Sequence, residues 1–247
     1  MKIYNSWAMA VHPLVFETGV DETPHSIAGT GFLIGYSGRV FFVTARHALK
    51  PDAIYPLCIL SPSGYVLPLK DVYFVPITAS DEDFADLAIV EIDMQRVDME
   101  HYETRVISLE SVTGDWQKNA QSSSFFVLGF PKQYSWVDYE IGEVQMGFVE
   151  LTGSYQGIGK TECLHELKVE KPSMLDDFSG FSGGPVFCRQ LAADGGQLVL
   201  LCGVAVQGTI ESRIIYFIET SIIQVMLKLK CARDPLIESK ILNKKPD

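Results

Sequence analysis

The sequence predicts an all-β fold, built as a sandwich or as barrels, with one helix near its C-terminal end. Three observations carry this. Short apolar runs dominate the 247 residues, rich in β-branched and aromatic side chains and bounded by Gly, Pro, Ser and Asp, which is strand chemistry. Turn signals fall between them. Helical periodicity is confined to one stretch, which disfavours an alternating α/β arrangement.

The strand runs, in order, are GFLIG (31–35), RVFFVTA (39–45), LAIVEI (87–92), SFFVLGF (124–130), QMGFVEL (145–151), QLVLLCGVAV (197–206) and RIIYFIET (213–220). Turns are expected at YSGR (36–39), SPSG (61–64) and DGG (194–196), each closing a hairpin between apolar runs. The helix is SIIQVMLKLKCA (221–232). Ser221 is its expected N-cap, apolar residues recur at Ile222, Ile223, Met226, Leu227 and Leu229, and Lys228 and Lys230 suit the negative end of the helix dipole. A polar stretch at 113–124 divides the chain into an N-terminal half, 1–112, and a C-terminal half, 125–232, followed by a polar tail, 233–247.

Composition narrows the function classes. Hydrophobic residues make up 47% and charged residues 21%, ordinary for a soluble globular protein, and no apolar run is long enough to span a bilayer. The net charge of -11 argues against nucleic acid or an anionic membrane as partner, since both reward a positive face. Asn5 and Ser6 interrupt the place where a signal peptide would need its apolar region. The five cysteines, Cys58, Cys163, Cys188, Cys202 and Cys231, are odd in number and irregular in spacing, so they read as reduced thiols of a cytosolic protein. Cys163 and His165 form no metal-ligand pattern with a second pair. GSYQGIGK (153–160) is one residue too long for a phosphate loop, and Tyr155 and Gln156 are expected instead to rim a substrate cleft. No metal or cofactor is expected.

The chemistry centres on SGFSGGPVF (179–187), where Ser182 lies among Gly180, Gly183 and Gly184. A serine hydroxyl needs an adjacent base, usually a histidine oriented by a carboxylate. G-x-S-x-G also occurs in the nucleophile elbow of α/β-hydrolases, whose histidine follows the serine. Here His12, His25, His47, His101 and His165 all precede Ser182, which removes that option. Upstream, FFVTARHAL (41–49) places His47 just after a strand, and DFADLAIVEI (83–92) places Asp86 at the start of another. Asp81, Asp83 and Asp93 are nearby, but Asp86 alone directly precedes LAIV. The order His47, Asp86, Ser182 is that of chymotrypsin-like proteases.

Together GTGFLIG…FFVTARHAL, DLAIV and GFSGGPVF resemble the trypsin-like, chymotrypsin-fold serine proteases, closest in flavour to the HtrA/DegP branch, and no length is left for the PDZ domain that HtrA proteins append. The resemblance implies two six-stranded antiparallel β-barrels with the active site between them. His47 and Asp86 would come from the first barrel and Ser182 from the second. It further implies an oxyanion hole made by the N–H groups of Gly180 and Ser182, a substrate-lining strand at 203–208 with Ala205, Val206 and Gln207, and a protein or peptide substrate. Asp176, six residues before Ser182, stands where enzymes that cut after Lys or Arg place an acidic selector. Phe181 departs from the pattern, because the digestive enzymes have an aspartate there that orders the oxyanion loop after zymogen cleavage. Either the site is competent as made, or a partner or substrate orders the loop at 171–180. A non-catalytic binding module on the same scaffold is the competing expectation.

Overall fold

The computed structural model describes residues 7–17, 25–49, 57–61, 64–75, 85–100, 105–138, 143–170, 175–192 and 195–233. Its first unit holds β1 (Val11–Glu17), β2 (His25–Tyr36), β3 (Arg39–Ala45), β4 (Leu57–Ile59), β5 (Leu69–Phe74), β6 (Leu87–Ile92) and β7 (Ile107–Ser108). These form one seven-stranded sheet in the order β4-β1-β2-β3-β6-β5, antiparallel throughout except that β7 pairs parallel to β2. The short helix α1 (Leu109–Val112) follows. The second unit holds β8 (Ser124–Gly129), a separate hairpin of β9 (Ser135–Asp138) and β10 (Glu143–Met146), then β11 (Val149–Ile158), β12 (Leu164–Val169), β13 (Pro185–Leu191), β14 (Gln197–Thr209) and β15 (Ile214–Glu219). Strands β11-β12-β15-β14-β13-β8 close into a six-stranded antiparallel barrel.

The all-β, two-unit architecture with a C-terminal helix is therefore as expected, with a correction to the first unit. Among the described residues its strands form a half-barrel beside the closed six-stranded one. The seam that would close it is weak among the described residues. β4 is three residues long, and beyond it the Leu60–Val66 bridge and the Leu67 N–H donating to the Ile59 carbonyl are what join the two edges. The run at 145–151 is also two elements: Gly147 and Phe148 break it between β10 and β11.

The remaining strands follow their residues closely. RVFFVTA and LAIVEI coincide with β3 and β6, and β6 is buried along its whole length, as a non-alternating apolar run requires. Ser37 and Gly38 both take positive φ, 48° and 69°, which is the two-residue turn that matches strand twist between β2 and β3. Even the charge inside β6 is neutralised: Glu91, 4% exposed, is held by the Arg39 guanidinium and by Lys70 Nζ at 3.1 Å.

The helix α2 spans Thr220–Arg233, one residue earlier than expected, so Ser221 lies inside it and is not its cap; the Ser221 hydroxyl bonds to the Glu219 carboxylate instead. Ile223 and Leu227 face the core, whereas Leu229 is exposed. No described helix is long and apolar enough to cross a membrane. One apolar cluster joins the two units, bringing Phe32, Phe42 and Leu87 of the half-barrel together with Phe126, Phe187, Leu201 and Ile218 of the barrel and Ile223 and Leu227 of α2. The intervening segment is anchored too: Trp116 is buried against Phe125, Tyr155, His165 and Phe217.

His12 sits fully buried in β1, its Nδ1 donating to the Leu60 carbonyl at 3.1 Å while Nε2 has no partner among the described residues. Burial lowers its pKa from 6.5 to about 4. The unfolded chain then binds the proton first, so this site's contribution to stability is complete above pH 6.5 and declines as pH falls toward 4. Urea unfolding at pH 7 and pH 5 is expected to differ by about 2 kcal/mol from this group. His12→Asn should flatten that difference; an unchanged pH response in the variant would assign the acid sensitivity elsewhere.

Candidate functional site

Strand register brings His47 and Asp86 together. β3 pairs with β6 so that Ala45 lies opposite Leu87, and the residues that leave those two positions must meet. After Ala45 the chain tightens into a 3-10 turn, Arg46–Leu49, with the Arg46 N–H donating to the Asp86 carbonyl at 3.1 Å. The Asp86 carboxylate then holds His47 at two points. Oδ1 accepts the His47 backbone N–H at 2.9 Å and Oδ2 lies 2.6 Å from Nδ1. A carboxylate oxygen accepts, so Nδ1 is the donor of this bond and Nε2 is the ring nitrogen that Asp86 leaves unengaged. The imidazole is 51% exposed and the carboxylate 25%, so the pair opens to solvent. Asp93 lies beyond the other end of β6, its N–H donating to the Pro68 carbonyl, while Asp81 and Asp83 fall outside the described residues.

Ser182 is docked on the half-barrel because its loop crosses to it from the closed barrel. Thr30 of β2 donates its N–H to the Ser182 carbonyl at 2.8 Å, and Gly29 fits between that carbonyl and Ala48, the residue after His47. Gly183, at φ 90°, lies against the Thr30 carbonyl, the Thr44 hydroxyl and the Ala45 N–H, where a Cβ would find no room. The glycine beside the serine is thus a point of contact between the two units. The Ser182 hydroxyl donates to the Val206 carbonyl at 3.3 Å, and it makes no hydrogen bond to His47. Such bonds are often long before a substrate is bound.

The loop's backbone amides divide cleanly. The N–H of Ser179 donates to the Asp177 carboxylate, Phe181 to the Phe178 carbonyl, Gly183 to the Ala205 carbonyl and Gly184 to the Phe181 carbonyl. The N–H groups of Gly180 and Ser182 have no partner among the described residues. Both residues are half-buried, where a backbone amide normally finds a partner. Phe181 stands between them, 2% exposed, with its ring against Gly129 and Phe178 in the second core cluster. The position thus holds an apolar anchor and not a charge.

β14 supplies the neighbouring wall. Its ladder to β15 is irregular between Ala205 and Gln207, so Val206 bulges and turns its carbonyl to Ser182. Ala205 exchanges hydrogen bonds with Gly183 and Gly184, Val206 is buried and Gln207 is exposed. Phe178 packs against Gly208, giving this side an apolar lining. Asp176 is exposed, and its N–H donates to Gln133 Oε1 at 2.8 Å. Residues 171–174 of the same loop lie outside the described residues.

Tyr155 does not rim the cleft. Its ring is packed on Trp116 and Phe125, and its hydroxyl lies 2.9 Å from Nδ1 of His165, which is fully buried. Tyr155 lies on the same face of β11 as buried Leu151, and the irregularity follows at Gln156, which bonds locally to Ser154 on the surface. Burial lowers the His165 pKa, opposed by Glu219, whose Oε2 is 3.4 Å from Nε2. A polar hollow of about 380 Å³ lined by Trp116, Gln117, Glu219 and Gln224 adjoins that network, and none of His47, Asp86 and Ser182 lines it.

The residue most easily overlooked in the sequence is Thr30. Thr30, in the middle of β2, is fully buried and bonded to the Ser182 loop through both backbone and hydroxyl. Its only signal was its place within GTG, where two glycines allow close approach. Against known proteins, the sequence matches no family model, and no curated protein matches it. The family likeness therefore rests on the motifs themselves.

Proposed function

We propose that this chain is a serine endopeptidase that cleaves peptide bonds through an acyl-enzyme at Ser182. The observation that carries the reading is the convergence of a carboxylate-held histidine, a serine on a loop docked beside it, and two vacant backbone N–H groups at Gly180 and Ser182. In the mechanism, His47 Nε2 takes the Ser182 proton as Oγ attacks the scissile carbonyl. Asp86 holds the tautomer and stabilises the imidazolium that forms. The carbonyl oxygen, now negative, is received by the Gly180 and Ser182 N–H groups. His47 then returns the proton to the leaving amine, and water repeats the sequence to release the acyl group. The strand edge at Ala205–Gln207 pairs the peptide, with Asp176 as the candidate selector for a basic side chain.

The displaced Ser182 hydroxyl, bonded to Val206 and not to His47, is what favours the second reading, a catalytically silent binding module. A fluorophosphonate probe separates the two. Wild type should be labelled at Ser182 and Ser182→Ala should not. Absence of labelling in folded wild type, alone and with candidate partners, would discard the enzyme reading.

A further inference from the structure

We infer that Thr30 is a positioning residue for the oxyanion-binding amides, taking the part that an ion pair from a cleaved N-terminus plays where an aspartate precedes the serine. The inference rests on the serine-hydrolase reading and names the device that keeps its site formed.

Each peptide of the loop has one end fixed, and a trans peptide points its C=O and N–H in opposite directions. The Ser179 carbonyl is held by the Lys132 N–H at 2.8 Å, which turns the Gly180 N–H to the other side. The next carbonyl, of Gly180, accepts the Thr30 hydroxyl at 2.6 Å. The Phe181 carbonyl accepts the Gly184 N–H at 2.8 Å, which turns the Ser182 N–H outward, and the Ser182 carbonyl accepts the Thr30 N–H at 2.8 Å. Thr30 thus grips the loop on both sides of Phe181, while Phe181 itself is locked by burial.

Thr30 is in turn immobilised. Its hydroxyl accepts the Phe130 N–H at 2.9 Å, and its carbonyl accepts the Thr44 hydroxyl at 2.7 Å, three residues before His47. One fully buried residue therefore ties the nucleophile loop, the end of β8 and the strand leading to His47 together, the first two through its hydroxyl and the last through its carbonyl. Gly180 itself is at φ 97° with the Phe130 carbonyl and the Lys132 N–H against its α-carbon, so the loop cannot shift toward that side. Contacts within the chain thus hold the carbonyls of Ser179, Gly180, Phe181 and Ser182, and with them the peptides that carry the Gly180 and Ser182 N–H groups.

The test compares Thr30→Val, which keeps the shape and loses the hydroxyl, with Thr30→Ser, which keeps the hydroxyl, both in the full chain. Three readouts are taken: fluorophosphonate labelling rate at Ser182, inhibition by a peptide boronate whose tetrahedral oxygen enters the hole, and hydrogen exchange over residues 178–184. Thr30→Val is expected to lower the labelling rate and kcat about 10²-fold, with KM for a peptide substrate within about threefold of wild type, and to weaken the boronate by a similar factor. Thr30→Ser should stay within about fivefold of wild type. A merely structural role would lower thermal stability without separating kcat from KM. Wild-type labelling in Thr30→Val, or a Ser variant as slow as the Val one, overturns the inference while leaving the hydrolase reading intact. If wild type itself is unlabelled, the hydrolase reading fails. Exchange then judges the clamp: faster exchange of the 178–184 segment in Val but not Ser supports it, and equal exchange overturns it.

Discussion

His47→Ala and Ser182→Ala are each expected to lower kcat/KM by roughly 10⁴–10⁶, and the double variant to be no worse than the poorer single one. The reason lies in the geometry. His47 is fixed to Asp86 through Nδ1 and the backbone N–H, and in the proposed mechanism its remaining nitrogen moves the Ser182 proton. Once the serine is gone, a base has nothing to activate, and once the base is gone the hydroxyl is a poor nucleophile. Residual turnover would come from the unpaired amides at Gly180 and Ser182, which neither substitution removes. The measurement is steady-state cleavage of a peptide library, followed by kinetics on the best substrate. Losses that multiply in the double variant would show that the two side chains act independently and would remove the triad.

Gly183→Ala is expected to be the most damaging single-methyl change in the molecule. Gly183 is at φ 90°, where an L side chain is strained, and a Cβ would overlap the Thr30 carbonyl and the Thr44 hydroxyl and come within 2.9 Å of the Ala45 N–H. Two of these three obstacles are backbone atoms of β2 and β3, which cannot swing aside as a long side chain could. Strain and overpacking together should cost about 2–5 kcal/mol, read as a thermal midpoint lowered by about 10 °C. The same crowding pushes the loop off the half-barrel, so Ser182 labelling should fall by more than about 10²-fold. Gly38→Ala is the control. It also has positive φ, 69°, but no atom lies within 4 Å of the added carbon, so about 1 kcal/mol is expected and labelling should be unchanged. Equal effects at the two glycines would mean that backbone conformation, and not the docking of the loop, sets the cost.

The contrast shows what local sequence conveys. RVFFVTA and LAIVEI are strands because an unbroken apolar run can be buried on both faces, and both match their observed limits. The positions of His47 and Asp86 were legible for the same reason, since each lies just beyond the end of such a run. The helix start was off by one residue because Thr220 bonds to the Leu201 carbonyl, a partner nineteen residues away that no local pattern announces. Tyr155 was misplaced because it shares the inward face of β11 with Leu151, and the Trp116 and His165 rings that it packs on come from other elements.

By itself the sequence determined an all-β chain with a C-terminal helix and the order His47, Asp86, Ser182. These depend on hydrophobic patterning, turn chemistry and residue order, all of which are local. The tertiary structure alone decided that, among the described residues, the first unit is a half-barrel while the second closes, since strand order depends on which segments pair across the whole chain. It alone fixed the carbonyls of Ser179, Gly180 and Ser182, which accept from Lys132 and Thr30, residues that only folding brings to the loop. And it alone turned Thr30 from one small residue among glycines into the link between two units, through bonds to Gly180 and Ser182 about 150 residues away. Hydrogen bonds of that range depend on two sheets meeting, and no window of the sequence contains both partners.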